Sequence, residues 1–288
     1  MKKVQWLFLL PVLLIACRQQ EKSDDRLIIA ASIAPLADFC RQVGGERVSV
    51  FTVVPSGANP HTFELDPQLL IRMGDARLLV LNGLGLEYWA HKVADNYSSR
   101  ALQVLTVSQD IPVLQDEDHA EGNPHVWLNP LHAARQVEKI TEALMRLDPL
   151  QAQGYRDRSD RYQKVLHDLD EEIGREIDGW RERRFICFHP SWNYFSERYH
   201  LEQAAVIEQR PGFEPSPGEA AEIIGLAKRL QVRAIFAEQQ FPLKITEMIA
   251  AESGAQVLVL DPLGSDGEGY SYVSLLRSNV AQMAKALR

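Results

Sequence analysis

Four residues able to hold a divalent cation share an unusual neighbour. His61, His125, His189 and Asp261 each adjoin a proline, in Asn59-Pro60-His61, Asn123-Pro124-His125, His189-Pro190 and Asp261-Pro262. Proline fixes φ and cannot donate to a sheet ladder, so each candidate sits where a strand has ended and the backbone is stiffly aimed. Three imidazoles and one carboxylate on rigid turns are the donor set of a closed tetrahedral Zn²⁺ site. A single histidine in a proline-rich loop is ordinarily a surface or capping residue. Repetition sets these apart: Asn59-Pro60-His61-Thr62-Phe63 is echoed by Asn123-Pro124-His125-Val126-Trp127, with the same order of amide, proline, histidine, spacer and aromatic. Asn59 and Asn123 are placed to orient their histidines, although Asn before Pro is also a turn former. Trp127 reads as a core aromatic or as a wall that keeps water from the site. Glu238 ends a strand much as Asp261 does and is a rival carboxylate. His119, in the acidic run Asp116-Glu117-Asp118-His119, reads as solvated loop.

The elements that must position these residues follow from periodicity. Short apolar runs at 27–32, 48–54, 78–84 and 102–107 alternate with amphipathic stretches at 35–43, 67–73 and 87–96. The rhythm returns with strands at 185–188, 204–208, 234–238 and 257–261 and helices at 217–230, 243–252 and 270–287. Strands alternating with helices predict βαβ units and mainly parallel sheets, hence two similar α/β lobes. Between them, a helix at 131–147 precedes a charged stretch with apolar residues at Tyr155, Tyr162, Leu166, Leu169, Ile173 and Ile177. Spacings of three, four and seven predict one long amphipathic helix, about 40 Å from end to end, which Gly154 and Gly174 weaken locally. The expected division is 27–148 as the N-terminal lobe, 149–179 as the connecting helix and 180–288 as the C-terminal lobe. In doubly wound sheets ligands gather outside the carboxyl ends of strands, where all four candidates fall. Two ligands per lobe place the ion in the cleft between lobes.

A length of 288 residues, 45% hydrophobic and 24% charged, suits two globular domains. Residues 1–17 read as a leader outside them: Lys2 and Lys3 precede an apolar run from 4 to 16, too short for a spanning helix and right for a signal-peptide core. Its end, Leu14-Ile15-Ala16-Cys17, resembles the lipobox of bacterial lipoproteins, which implies acylation of Cys17 and a membrane anchor on an exported, periplasmic or cell-surface protein. Residues 18–26 are then a polar tether. Cys40 and Cys187 fall in different lobes and read as isolated buried thiols. The net charge of −8, with no clustered Lys and Arg, excludes nucleic acid as the expected partner.

The lipobox, Pro55-Ser56-Gly57-Ala58-Asn59-Pro60-His61, the run from Asn123 to Pro130, Phe188-His189-Pro190-Ser191-Trp192-Asn193-Tyr194-Phe195 and Asp261-Pro262-Leu263-Gly264 closely resemble, in order, the zinc- and manganese-binding solute-binding lipoproteins of ABC transporters. The resemblance implies two α/β lobes bridged by a long backbone helix, a divalent cation in the cleft, and a monomer that delivers the cation to a membrane permease. It implies the ligands His61, His125, His189 and Asp261. Manganese binders of that family typically carry a carboxylate at the third position, where this chain has His189; imidazole suits zinc, so Zn²⁺ is expected, with Mn²⁺ as the alternative. Many zinc binders of the family also carry a long histidine-rich loop before the second ligand, whereas residues 115–122 contain His119 alone. Two other functions compete. A binding protein for a metal chelate, such as a siderophore or cobalamin, would need a wide cleft rather than converging histidines. A zinc hydrolase would need an open coordination position and a general base, and the chain has no His-Glu-x-x-His helix.

Overall fold

The computed structural model describes residues 26–97, 102–115, 121–208, 214–267 and 269–288. Cys17, most of the tether and His119 lie outside the described residues. The N-terminal lobe runs β1 (Leu27–Ala31), α1 (Ala34–Gly44), β2 (Val48–Thr52), α2 (Pro67–Met73), β3 (Leu78–Leu81), α3 (Ala90–Tyr97) and β4 (Gln103–Thr106). Then come α4 (Pro130–Leu147) and the connector α5 (Ala152–Asp178). The C-terminal lobe follows as β5 (Arg184–Cys187), α6 (Asn193–Tyr199), β6 (Glu202–Val206), α7 (Pro217–Leu230), β7 (Ala234–Glu238), α8 (Lys244–Ser253), β8 (Gln256–Leu260) and α9 (Tyr272–Leu287).

Each lobe holds a four-stranded sheet, in the order β2-β1-β3-β4 and β6-β5-β7-β8, and every recorded pairing is parallel. The two orders are the same topology repeated. In each, the chain steps outward one way from the first strand and then returns to its other side, leaving a crevice at the carboxyl ends of the two central strands. The parallel sheets are apolar because helices cover their faces: β3 reads Leu-Leu-Val-Leu and is buried throughout.

The predicted connector is a single α-helix of 27 residues, about 40 Å long, and it passes Gly154 and Gly174 without a break. It opens differently from the sequence expectation. Pro149–Gln151 form a 3₁₀ turn ahead of it, so the helix starts at Ala152 and not at 149, and the Asp148 carboxylate accepts from the Tyr155 hydroxyl (3.1 Å). The predicted face, Tyr155, Tyr162, Leu166, Leu169, Ile173 and Ile177, is buried. It joins one core that includes Ile29 and Phe39 on the N-terminal side and Phe185, Phe236 and Leu276 on the C-terminal side. A buried carboxylate fastens that junction: Asp38 of α1 accepts from the Tyr162 hydroxyl of α5 (3.1 Å) and from the backbone N–H of Tyr272, the first residue of α9 (2.9 Å).

Several boundaries moved, and the strand expected at 78–84 ends at Leu81. The helix expected from 87 begins at Ala90, and the residues before it form turns, with the N–H of Leu86 on the Gly83 carbonyl (3.3 Å), that of Ala90 on the Glu87 carbonyl (2.9 Å), and the buried Glu87 carboxylate accepting from the N–H groups of Asn82 (2.8 Å) and Gly83 (2.9 Å). The strand expected from 204 to 208 is Glu202–Val206. Cys40 and Cys187 are free, buried thiols as expected, and burial pushes that of Cys40 up to about 12.

Candidate metal centre

The two Asn-Pro-His segments fold alike. Asn59 Oδ1 accepts from the N–H of His61 (2.9 Å), and Asn123 Oδ1 accepts from the N–H of His125 (3.0 Å). In both, the asparagine side chain bonds the backbone two residues on, and the intervening proline presets φ, so each imidazole leaves a closed turn at a defined angle. His189 follows β5 by one residue and starts the 3₁₀ turn Pro190–Trp192 that leads into α6.

The three histidines meet. His61 Nε2 lies 3.2 Å from His125 Nε2 and 3.2 Å from His189 Nε2, and one ligand nitrogen from each falls within 4.8 Å of the others. Zn–N bonds of about 2.05 Å at tetrahedral angles would place ligand nitrogens roughly 3.3 Å apart, so these nitrogens stand where a single ion would hold them. His125 and His189 are buried and His61 is half-buried. Beside them the cavity has about 10 Å³ of free space, bounded also by Asn59, Glu238, Gln240, Phe241 and Pro262. That admits one water-sized particle. A siderophore or cobalamin needs a pocket of several hundred Å³.

Asn123 sets the tautomer of His125. Its Oδ1 also lies 2.9 Å from His125 Nδ1, while its Nδ2 donates to the Pro190 carbonyl (2.7 Å). Donation to a backbone carbonyl fixes which end of the amide is nitrogen, so the oxygen faces the imidazole and Nδ1 carries the proton. The Nε2 lone pair of His125 is thereby left for the ion. The same amide ties the His125 turn to the residue after His189.

Other groups fix the turns. Trp127 is fully buried, the core-aromatic alternative; its Nε1–H also donates to the Pro262 carbonyl (2.8 Å), and the Trp127 carbonyl accepts from the Tyr272 hydroxyl (2.6 Å). Asn82 Nδ2 donates to the Pro124 carbonyl (2.8 Å). Tyr194, on the first turn of α6, reaches both Leu114 and Asn123. Its hydroxyl accepts from the N–H of Leu114 (3.0 Å) and donates to the Asn123 carbonyl (2.8 Å), beside the direct bond from the N–H of Asn123 to the Leu114 carbonyl (2.8 Å). Asn82 and Tyr194 escaped the sequence reading. Tyr194 stood in plain view five residues after His189, but its partners are about 80 and 70 residues away.

Asp261 does not join the histidine group in this structure. Its Oδ1 accepts from the N–H groups of Leu263 (3.0 Å) and Gly264 (2.8 Å), a local turn of the kind Asp favours. Asn279 of α9 pins its backbone on both sides, accepting from its N–H (2.8 Å) and donating to its carbonyl (2.7 Å). Glu238 lines the cavity and is buried. Loss of solvation pushes its carboxyl up to about 8, with the Asp261 charge adding to the rise and the Ser191 hydroxyl, which donates to it, opposing it.

Paired α/β lobes on a long helix, enclosing an ion-sized cavity walled by histidines, define a solute-binding architecture built for a very small solute. Comparison with known proteins carries this further: residues 29–286 match the family described as "Zinc-uptake complex component A periplasmic", and the chain belongs to that family. By that description its members are an extracytoplasmic component of an uptake complex, which is not an enzyme class. The chain is 27% identical over 300 residues to the "Zinc-binding lipoprotein AdcA" of Streptococcus pneumoniae strain R6; the alignment covers 97% of this chain and 60% of AdcA. This chain thus spans 60% of that relative's length, under two thirds. It is 29% identical to the "Manganese-binding lipoprotein MntA" of Halalkalibacterium halodurans, over 100% of this chain and 99% of MntA. The structure superposes on "Crystal structure of ZnuA" with a TM-score of 0.84 at 35% identity, covering 91% of this chain and 99% of the other.

Proposed function

We propose that the protein captures one divalent cation, zinc in preference to manganese, between its lobes and hands it to the membrane permease of an ABC importer. The observation that carries this reading is the convergence of three imidazole nitrogens on one point beside a cavity no larger than an ion or a water. His61, His125 and His189 are three ligands and Asp261 is the fourth. Asp261 would meet the ion through the carboxylate oxygen that is not engaged by Leu263 and Gly264. Nitrogen-rich sites hold Zn²⁺ more tightly than Mn²⁺, which favours zinc. The names of the relatives include both metals.

Four protein ligands leave no position for a reactive water, so the protein is read as a carrier and not a hydrolase. Residues 27–148 and 180–288 are taken as the lobes and 149–179 as the strut between them. Cys17 is taken as the lipid-bearing N-terminus of a monomer held at the outer face of a membrane. Among the described residues no helix is long and apolar enough to cross one. Protons compete with the ion for imidazole lone pairs, so affinity falls as pH drops through the histidine range.

Competition titration against a chromophoric chelator tests the ligand set. His61→Ala, His125→Ala and His189→Ala are each expected to weaken zinc binding by two orders of magnitude or more, and His119→Ala to leave it near the parent value. Damage from His119→Ala with indifference at the other three would overturn the assignment.

A further inference from the structure

Gln240 sits two residues beyond β7 and lines the same cavity as the three histidines. Both of its amide atoms, Oε1 and Nε2, are out of reach of solvent, and neither has a hydrogen-bond partner. Among the described residues it is the one side-chain amide with both atoms buried and unbonded. Such a group is costly, because it has given up its bonds to water with nothing in return. Asn123, in the same site, has its Oδ1 and its Nδ2 bonded. Ordinary packing does not account for the contrast, since an apolar side chain of the same shape would fill the space without that cost. The next residue, Phe241, lies against the His189 ring, with centroids 5.4 Å apart, so Gln240 belongs to the histidine wall and not to a distant surface.

Resting on the metal-site reading above, we propose that Gln240 is a positioning residue for the bound cation. Its Nε2–H donates to the oxygen that completes the ion's coordination beside the three imidazoles. The unbonded amide is the mark of a group whose partner arrives with the ion. A neutral amide suits this place: it orients an oxygen ligand without adding a positive charge beside a cation. On the ligand set above that oxygen is the free carboxylate oxygen of Asp261; a water in its place would make the same contact, and the last arm of the test tells the two apart.

The test is Gln240→Leu in the purified protein, with zinc ion as the probe. Two quantities are read: zinc affinity by chelator competition and the melting temperature of the metal-free protein. Zinc affinity is expected to fall roughly tenfold to a hundredfold, while the metal-free protein melts no lower than the parent, because two unbonded polar atoms have been removed. These opposite effects separate the proposal from a packing role, which would lower the melting temperature and spare affinity. Unchanged zinc affinity, or a metal-free melting temperature below that of the parent, overturns the proposal. His125→Ala is measured in parallel. If it too binds zinc like the parent, the reading of the site has failed and the proposal with it; if it alone loses affinity, only the role of Gln240 has failed. Repeating Gln240→Leu in an Asp261→Ala background identifies the oxygen. No further loss there assigns it to Asp261, a persisting loss assigns it to water, and either supports the role of the amide.

Discussion

At the scale of single residues, the site combines donors suited to an ion with groups that are uncomfortable without one. Glu238 is the clearest case. In the unfolded chain its carboxyl ionises near the ordinary value of about 4.3, whereas burial raises it to about 8 in the folded protein. Between those values the folded protein keeps a proton that the unfolded chain has released. Stability from this group is therefore fully present below pH 4 and is lost as pH rises through 8. Glu238→Gln cannot ionise and removes that slope. Differential scanning calorimetry on metal-free samples should show the variant melting on the order of 5 °C above the parent at pH 8 and level with it at pH 4. Equal melting temperatures at both pH values would contradict the burial argument. The chemistry-bearing residues were the most legible part of the chain, because proline beside each candidate donor is a local feature. The twin Asn-Pro-His segments form the expected turns, and their histidines meet. The partners of those residues were not legible, since Asn82, Tyr194 and Gln240 carry no local pattern, and their roles come from bonds or burial set by distant parts of the chain.

At the scale of elements, both sheets aim loops at one cleft, and hydrogen bonds tie those loops to one another. The segment from Asn123 to Trp127 is central: Asn123 holds the Pro190 carbonyl next to His189, and Trp127 holds the Pro262 carbonyl next to Asp261. Tyr194 closes the arrangement from the other lobe by bridging Leu114 and Asn123. Tyr194→Phe keeps the ring and removes the hydroxyl, so it frees the base of the His125 turn without opening a cavity. Zinc should then dissociate roughly tenfold faster in a stopped-flow chelator chase. Tyr155→Phe, which loses a hydroxyl bond on α5 far from the histidines, should leave the rate unchanged. Identical rates for Tyr194→Phe and the parent would mean that the bridge has no hold on the ion. The strand and helix rhythm had already predicted most of these elements. Boundaries failed where tight local turns took the place of helical bonds, as before Ala90, where the N–H of Leu86 bonds the Gly83 carbonyl and that of Ala90 bonds the Glu87 carbonyl, each three residues back.

At the scale of the whole molecule, two copies of one sheet topology share a core that passes through the connector. Asp38 ties α1, α5 and α9 at a buried point. Such a body resists wide opening, because separating the lobes would expose apolar surface and strand a buried carboxylate. The 3.6-residue period of the connector was readable from sequence, but the fusion of both lobes into one core was not, since it depends on which faces meet. The account turns on a single claim, that this rigid cleft exists to hold a zinc ion. Elemental analysis of the protein purified without chelator, followed by competitive titration with zinc and manganese, tests it most directly. One tightly held zinc per chain that excess manganese fails to displace is the predicted result. Equal or preferred binding of manganese would contradict the zinc assignment, and a protein that takes up neither metal would contradict the site itself.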